Sequence, residues 1–147
     1  MGLGVYPATH KRFLGMLGMH GTYQANMSMH NADLIIAIGA RFDDRITNTP
    51  KLFAPNAKII HLDVDYSSVS KIIEANIAVF GQVKNSLLEM IKLLEAKKEL
   101  IDPKKILPWK EQISDWKSQH GLNHEMHLCE TDDKPIMPQA VVQHIYN

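Results

Sequence analysis

Four charged side chains fall within five positions, directly after an apolar run. Leu34-Ile35-Ile36-Ala37-Ile38 leads into Gly39-Ala40, and Arg41, Asp43, Asp44 and Arg45 follow. Such a run reads as a buried β-strand ending at a ligand crevice, because open α/β sheets bind ligands just outside the carboxyl ends of their strands. Gly39 lets the backbone turn tightly and lets a ligand approach it. The guanidinium groups of Arg41 and Arg45 offer forked donors to phosphate oxygens or to a carboxylate. Asp43 and Asp44 are placed to orient those arginines or to accept from a sugar or an amide. Charges after a strand also make an ordinary solvated loop, and the segment alone supports both readings.

Two more apolar runs end in the same manner. Lys58-Ile59-Ile60-His61-Leu62-Asp63 ends in an acid, and Ile77-Ala78-Val79-Phe80 ends at Gly81. If the three are parallel neighbours, Gly39 to Arg45, Asp63 to Asp65 and Gly81-Gln82 line one edge. An acid at the end of the following strand is where dinucleotide folds hold a ribose hydroxyl. The plainer reading of Asp63 is a turn or capping carboxylate. No G-x-G-x-x-G fingerprint is present.

Gly18-Met19-His20-Gly21 is a second candidate: flanking glycines free the backbone for close contact, and a helix starting just after it favours anions. His20 is either a donor to a ligand oxygen or a structural histidine. His120, His124, His127 and Cys129 crowd into ten residues, but Gly121 and Asn123 weaken a helix there and no zinc pairing is complete, so metal binding is not the favoured reading. No serine sits in a nucleophile elbow, and no paired carboxylates fall in an apolar pocket. The residues carry binding features without a catalytic centre.

The elements that must position these groups follow from periodicity. The reading places a short strand at 13–17, a helix over 21–31, strands at 33–38, 58–63 and 77–81, and a turn at 52–57 closed by Pro55 and Asn56. Ser67 is placed to cap a helix running to about Asn76. Val83 to about Leu100 is the clearest helix, with Leu87, Met90, Ile91 and Leu94 on one stripe read as core packing. Asp102-Pro103 and Leu107-Pro108 mark a connector. A helix at 109–118 puts Trp109 and Trp116 on one face. Residues 119–135 read as a polar linker, and Gln139 begins a last helix. Strands alternating with helices argue for an α/β fold, a parallel sheet with crossover helices.

Composition narrows the classes. The chain has 147 residues, enough for a domain with its own core, and 16 basic against 16 acidic side chains give a net charge of zero. A nucleic-acid surface needs a basic excess that is absent. No apolar run approaches the ~20 residues that cross a bilayer, and the first residues lack a signal-peptide pattern. A Met-Gly start invites myristoylation, but Tyr6 stands where Ser or Thr is needed. Cys129 is the lone cysteine, so no internal disulfide forms and a reducing, cytoplasmic setting is expected.

Met1-Gly2-Leu3-Gly4 and the run from Phe13-Leu14-Gly15-Met16-Leu17-Gly18-Met19-His20-Gly21-Thr22-Tyr23 to Asn26 resemble the central domain of acetolactate (acetohydroxyacid) synthase large subunits. So do His30-Asn31-Ala32-Asp33, Gly39-Ala40-Arg41-Phe42-Asp43-Asp44-Arg45 and His61-Leu62-Asp63-Val64-Asp65, while Lys134 to Val142 resembles the entry into that family's C-terminal domain. The resemblance implies three regions: 1–100 as the second half of a central FAD-binding α/β domain, 101–134 as a linker with a short helix, and 135–147 as the start of the thiamine-diphosphate-binding domain. It implies a condensation of pyruvate with pyruvate or 2-ketobutyrate, with loss of carbon dioxide, on the way to branched-chain amino acids. The cofactors implied are thiamine diphosphate, Mg²⁺ and an FAD without net redox role. A homo-oligomer with a regulatory small subunit is the implied assembly.

Carried over by residue, His20 and Gly21 match the loop beside the flavin. Gly39, Ala40 and Arg41 match the strand end that holds the ribityl and diphosphate region. Asp43 and Arg45 match positions near the flavin and the substrate channel, where Met19 also points. Asp63, Val64 and Ser68 match the adenosine side, as does Gly81, whereas Gln82 stands where the family usually has an acid. The domains that supply the family's activating glutamate and its metal site have no counterpart here, nor does the first half of the central domain, whose opening strand lies mid-sheet. The chain is therefore expected to be a fragment, with an incomplete sheet, no catalytic residue of its own and no activity alone. Two alternatives stand beside this: a stand-alone nucleotide-binding module of sirtuin-like fold, and another flavin-containing thiamine enzyme such as a pyruvate oxidase or glyoxylate carboligase.

Overall fold

β1 (Leu34–Ile38), β2 (Lys58–Asp63) and β3 (Ile77–Phe80) form a parallel sheet in the order β1-β2-β3. The computed structural model describes residues 2, 4–121 and 136–146. Ile35 lies opposite Ile59, Ala37 opposite His61, and His61 opposite Ala78, so the strand ends stand in step. Ile and Val supply three of the five residues of β1 and two of the four of β3, as a pleated and packed surface favours.

Successive side chains in a strand point to opposite faces. Ile35, Ala37 and Ile59 face a core cluster completed by Phe42, Ala54 and Ile73. On the other face Leu62 is 1% exposed, but Leu34, Ile36 and Ile38 are 44–48% exposed. The first strand, read from its apolar run as buried, is thus buried on one face only.

α1 (Tyr23–His30) starts where Thr22 accepts a hydrogen bond from Ala25 N, and it stops where the Asn31 side chain donates to the Met27 carbonyl. It packs against α4 (Leu107–His120), with Tyr23 and His120 in ring contact at 4.0 Å. Pro108 sits in the first turn of α4, where its missing N–H costs nothing. Trp109 and Trp116 meet edge to face at 5.8 Å, as their spacing predicts. α2 (Asp44–Thr47) is a single turn, and α3 (Val83–Ala96) follows β3 directly. α5 (Pro138–Tyr146) is the last helix. No helix among the described residues is long and apolar enough to cross a membrane.

Three readings are corrected. Residues 13–17 have no regular secondary structure, Gly15 has φ +96°, and they pair with no strand among the described residues. Leu14 O accepts from the side chains of Thr22 and Gln24 and Phe13 O from that of Lys117, while Met16 O accepts from Thr22 N. Residues 67–76 form turns and bends, not a helix. The Asp65 carboxylate takes the Ser67 amide and the hydroxyls of Ser67 and Ser68, and Ser70 has φ +56°, so local bonds outcompete the helical ladder. The α3 stripe is not core: Leu87 and Met90 are half-buried, while Ile91 and Leu94 are 50% and 56% exposed. Most of the expected linker at 119–135 lies outside the described residues.

Candidate functional site

The parallel register brings the three strand ends together. Gly39 N donates to Leu62 O at 2.8 Å, and Gly81 N donates to Asp63 O at 3.1 Å, so the chain leaves each strand hydrogen-bonded to its neighbour. Gly39 has φ +59°, and no described atom lies within 4 Å of where its Cβ would stand. The backbone there is bare, and a ligand can reach it. Gly81 turns the chain from β3 into α3, with Gln82 at the helix N-cap and its side chain making no capping bond.

Asp63 closes β2 and is buried. Its Oδ1 accepts from Asp65 N at 2.9 Å, and its Oδ2 has the Nε2 of His61 at 3.9 Å. Val64 is 57% exposed beside it. Ser68 is half-buried and donates its hydroxyl to Asp65 Oδ2 at 3.0 Å. The hydroxyl and amide of Ser67, then the hydroxyl of Ser68, hold the Asp65 carboxyl below its ordinary range.

The loop after β1 has an unexpected anchor. Phe42 is buried at φ +54° and meets Phe53 and His61 edge to face, at 5.8 and 5.2 Å. With Phe42 driven inward, its neighbours turn outward. Arg41 Nη2 pairs with Asp43 Oδ2 at 3.0 Å, both largely exposed. Arg45 is also exposed, 4.0 Å from Asp44. The sequence reading passed over Phe42 and His61. The signals were there: a lone aromatic within a charged loop, and a histidine two residues from Ile59 and from Asp63, hence on the core face.

The Gly18-Met19-His20-Gly21 loop is held through its own main chain, by the Asn26 side chain and by backbone partners. Gly18 donates to Asn26 Oδ1 at 2.8 Å and accepts from Asn26 Nδ2 at 3.0 Å. Met19 N donates to Arg45 O at 3.0 Å, and Gly21 N donates to Gly18 O at 2.9 Å. A Cβ at Gly21 would strike the Met16 carbonyl. Met19 and His20 are exposed. A cleft of about 480 Å³ opens beside this loop, lined by Met19, His30, Arg45, Asn48 and Phe53 among others. Gly39, Asp63 and Gly81 do not line it. The candidate residues thus form two regions, the strand-end edge and the cleft, joined by the 41–45 loop.

The strand-end edge suits a phosphorylated nucleotide. Bare glycine backbone at 39, an exposed Arg41 and a buried Asp63 whose Oδ2 makes no hydrogen bond among the described residues are a donor and acceptor set of the kind that a diphosphate and a ribose need. Among the described residues no three His, Cys, Asp or Glu side chains converge as metal ligands. The His120 ring lies tilted against that of Tyr23, while His124, His127 and Cys129 lie outside the described residues.

The family described as thiamine pyrophosphate enzyme, central domain, matches residues 1–90. The acetolactate synthase isozyme 3 large subunit of Escherichia coli (strain K12) is 44% identical over 146 residues, which is 99% of this chain and 25% of that protein. The acetolactate synthase large subunit of Haemophilus influenzae is 45% identical over 99% of this chain and 24% of its own length. A probable acetolactate synthase large subunit of Methanocaldococcus jannaschii is 40% identical over 97% of this chain. The chain spans about a quarter of the length of the relatives it matches.

Proposed function

The chain belongs to the thiamine pyrophosphate enzyme central-domain family, and on that premise we propose that it is a segment of an acetolactate synthase large subunit. In this reading the intact subunit condenses pyruvate with a second pyruvate or with 2-ketobutyrate, with decarboxylation, in branched-chain amino-acid synthesis. The carrying observation is the identity of 44% along 99% of the chain to a protein of that name. Residues 1–100 are the FAD-holding half-domain, 101–134 the connector and 135–147 the entry to the thiamine-diphosphate domain.

Within the segment, Gly39, Ala40 and Arg41 hold the ribityl-diphosphate stretch of FAD, with His20 and Gly21 beside the flavin. Asp63, Val64, Ser68, Gly81 and Gln82 serve the adenosine end. Met19, Asp43 and Arg45 face the substrate channel, a role that the cleft beside Met19 and Arg45 supports. Thiamine diphosphate supplies the carbanion chemistry when bound; it and Mg²⁺ belong to parts of the subunit outside this chain. The working protein is a cytoplasmic homo-oligomer with a regulatory small subunit.

The test is calorimetric titration of the chain with FAD, with Arg41→Ala beside it. Saturable binding weakened about tenfold by the substitution is expected, the loss of one charge-assisted contact. No uptake of FAD by the chain or by the subunit that contains it would overturn the assignment. The chain alone is expected to give no acetolactate from pyruvate, thiamine diphosphate and Mg²⁺ above a protein-free control.

A further inference from the structure

His61 has no exposed surface, and among the described residues neither of its ring nitrogens has a hydrogen-bond partner. It sits between Ala37 of β1 and Ala78 of β3, whose small side chains leave the imidazole its space, and its ring meets the ring of Phe42. A neutral imidazole always carries one N–H, so a donor is buried here without an acceptor. An apolar side chain of similar size would serve packing better. Asp63 Oδ2 stands 3.9 Å from Nε2, just beyond bonding range, while Asp63 Oδ1 is committed to Asp65 N.

We infer that His61 is a positioning residue for Asp63, donating from Nε2 to Oδ2 when the carboxylate engages the hydroxyls of an adenine nucleotide. The inference rests on the reading that this strand edge holds the adenosine end of FAD. A small rotation of the carboxylate closes the 3.9 Å gap, satisfies the buried donor and fixes the plane in which the remaining lone pairs face the ligand. The Nε2 nitrogen is thus one half of a contact that the nucleotide completes. Phe42, packed on the same imidazole, ties this carboxylate to the loop carrying Arg41.

The experiment is calorimetry with FAD and ADP on the full chain, its His61→Phe and its His61→Gln variants, alongside thermal unfolding. Expected is a higher melting temperature for His61→Phe together with about tenfold weaker FAD and ADP binding, and recovery of most of that affinity in His61→Gln, which keeps a donor. A merely structural histidine would move stability and affinity in the same direction. Should His61→Phe fail to fold, ¹⁵N-resolved spectra of the wild-type chain decide: an Nε2-bound proton must shift downfield when ADP is added. An unshifted proton, or undiminished affinity in a folded His61→Phe, overturns the inference while FAD binding by the wild type leaves the proposed function standing. Absence of FAD and ADP binding both by the wild-type chain and by the subunit that contains it overturns the two together.

Discussion

The amide of Met19 donates to the carbonyl of Arg45 at 3.0 Å, which joins the Gly18–Gly21 loop to the loop after β1 through main chain alone. Side-chain identity at 19 and 45 is therefore free to serve the cleft both residues line. Gly18 makes this approach possible: it has φ +94°, and a Cβ there would collide with the carbonyl of Arg45. Gly18→Ala is expected to destabilise the chain by about 2–3 kcal/mol, the sum of a left-handed penalty and a forced separation of the loops. Urea unfolding checks this, and a midpoint unchanged from wild type would contradict it.

Asn26 grips the same glycine from α1 by accepting from Gly18 N and donating to Gly18 O. Asn26→Ala should cost about 1–2 kcal/mol, since two partly exposed backbone bonds are lost together. Asn26→Asp keeps the acceptor and loses the donor, so it should fall between Ala and wild type. Equal losses in the two variants would show that the donor contributes nothing.

Strand positions and their shared edge were legible because continuous apolar runs ending in Gly or Asp report a local rule. The order and parallel register of β1, β2 and β3 confirm the α/β reading. The failures share a different cause. At 13–17 and 67–76 the backbone is claimed by side chains distant or local in sequence, Lys117 and Thr22 in one case and Asp65 in the other, and periodicity contains no term for such competition. Phe42 and His61 were missed because a positive φ and a buried imidazole depend on tertiary neighbours such as Phe53 and Ala37.

The Asp65 turn is a pH-dependent element with a defined sign. Hydrogen bonds from Ser67 and then Ser68 favour the charged carboxylate and depress its folded-state pKa below 3.8. A depressed carboxyl contributes stability that is full above its unfolded value and lost as pH falls through the folded one. The turn at 65–68 should therefore persist at pH 5 and open only below 3.8. Carboxyl ¹³C titration of Asp65 is expected to show a midpoint under 3.8, moving upward in Ser67→Ala, which removes the largest single contribution. A wild-type midpoint at or above 3.8 would refute the claim.

The two faces of β1 supply the last prediction, through a one-residue contrast. Ile35 is 7% exposed in the core cluster, and its neighbour Ile36 is 44% exposed on the opposite face, beside Leu34 and Ile38. A strand's period of two makes these positions opposite in consequence even though the residues are identical. Ile35→Ala should cost about 2–4 kcal/mol through lost burial and the cavity left behind, whereas Ile36→Ala should stay within about 1 kcal/mol. Ile36→Lys should also reduce binding of an apolar dye such as ANS, because it breaks a contiguous apolar face. Denaturant midpoints for the two alanine variants measure the contrast directly. Similar losses at 35 and 36 would mean that the second face is covered in solution, and dye binding insensitive to Ile36→Lys would say the same independently.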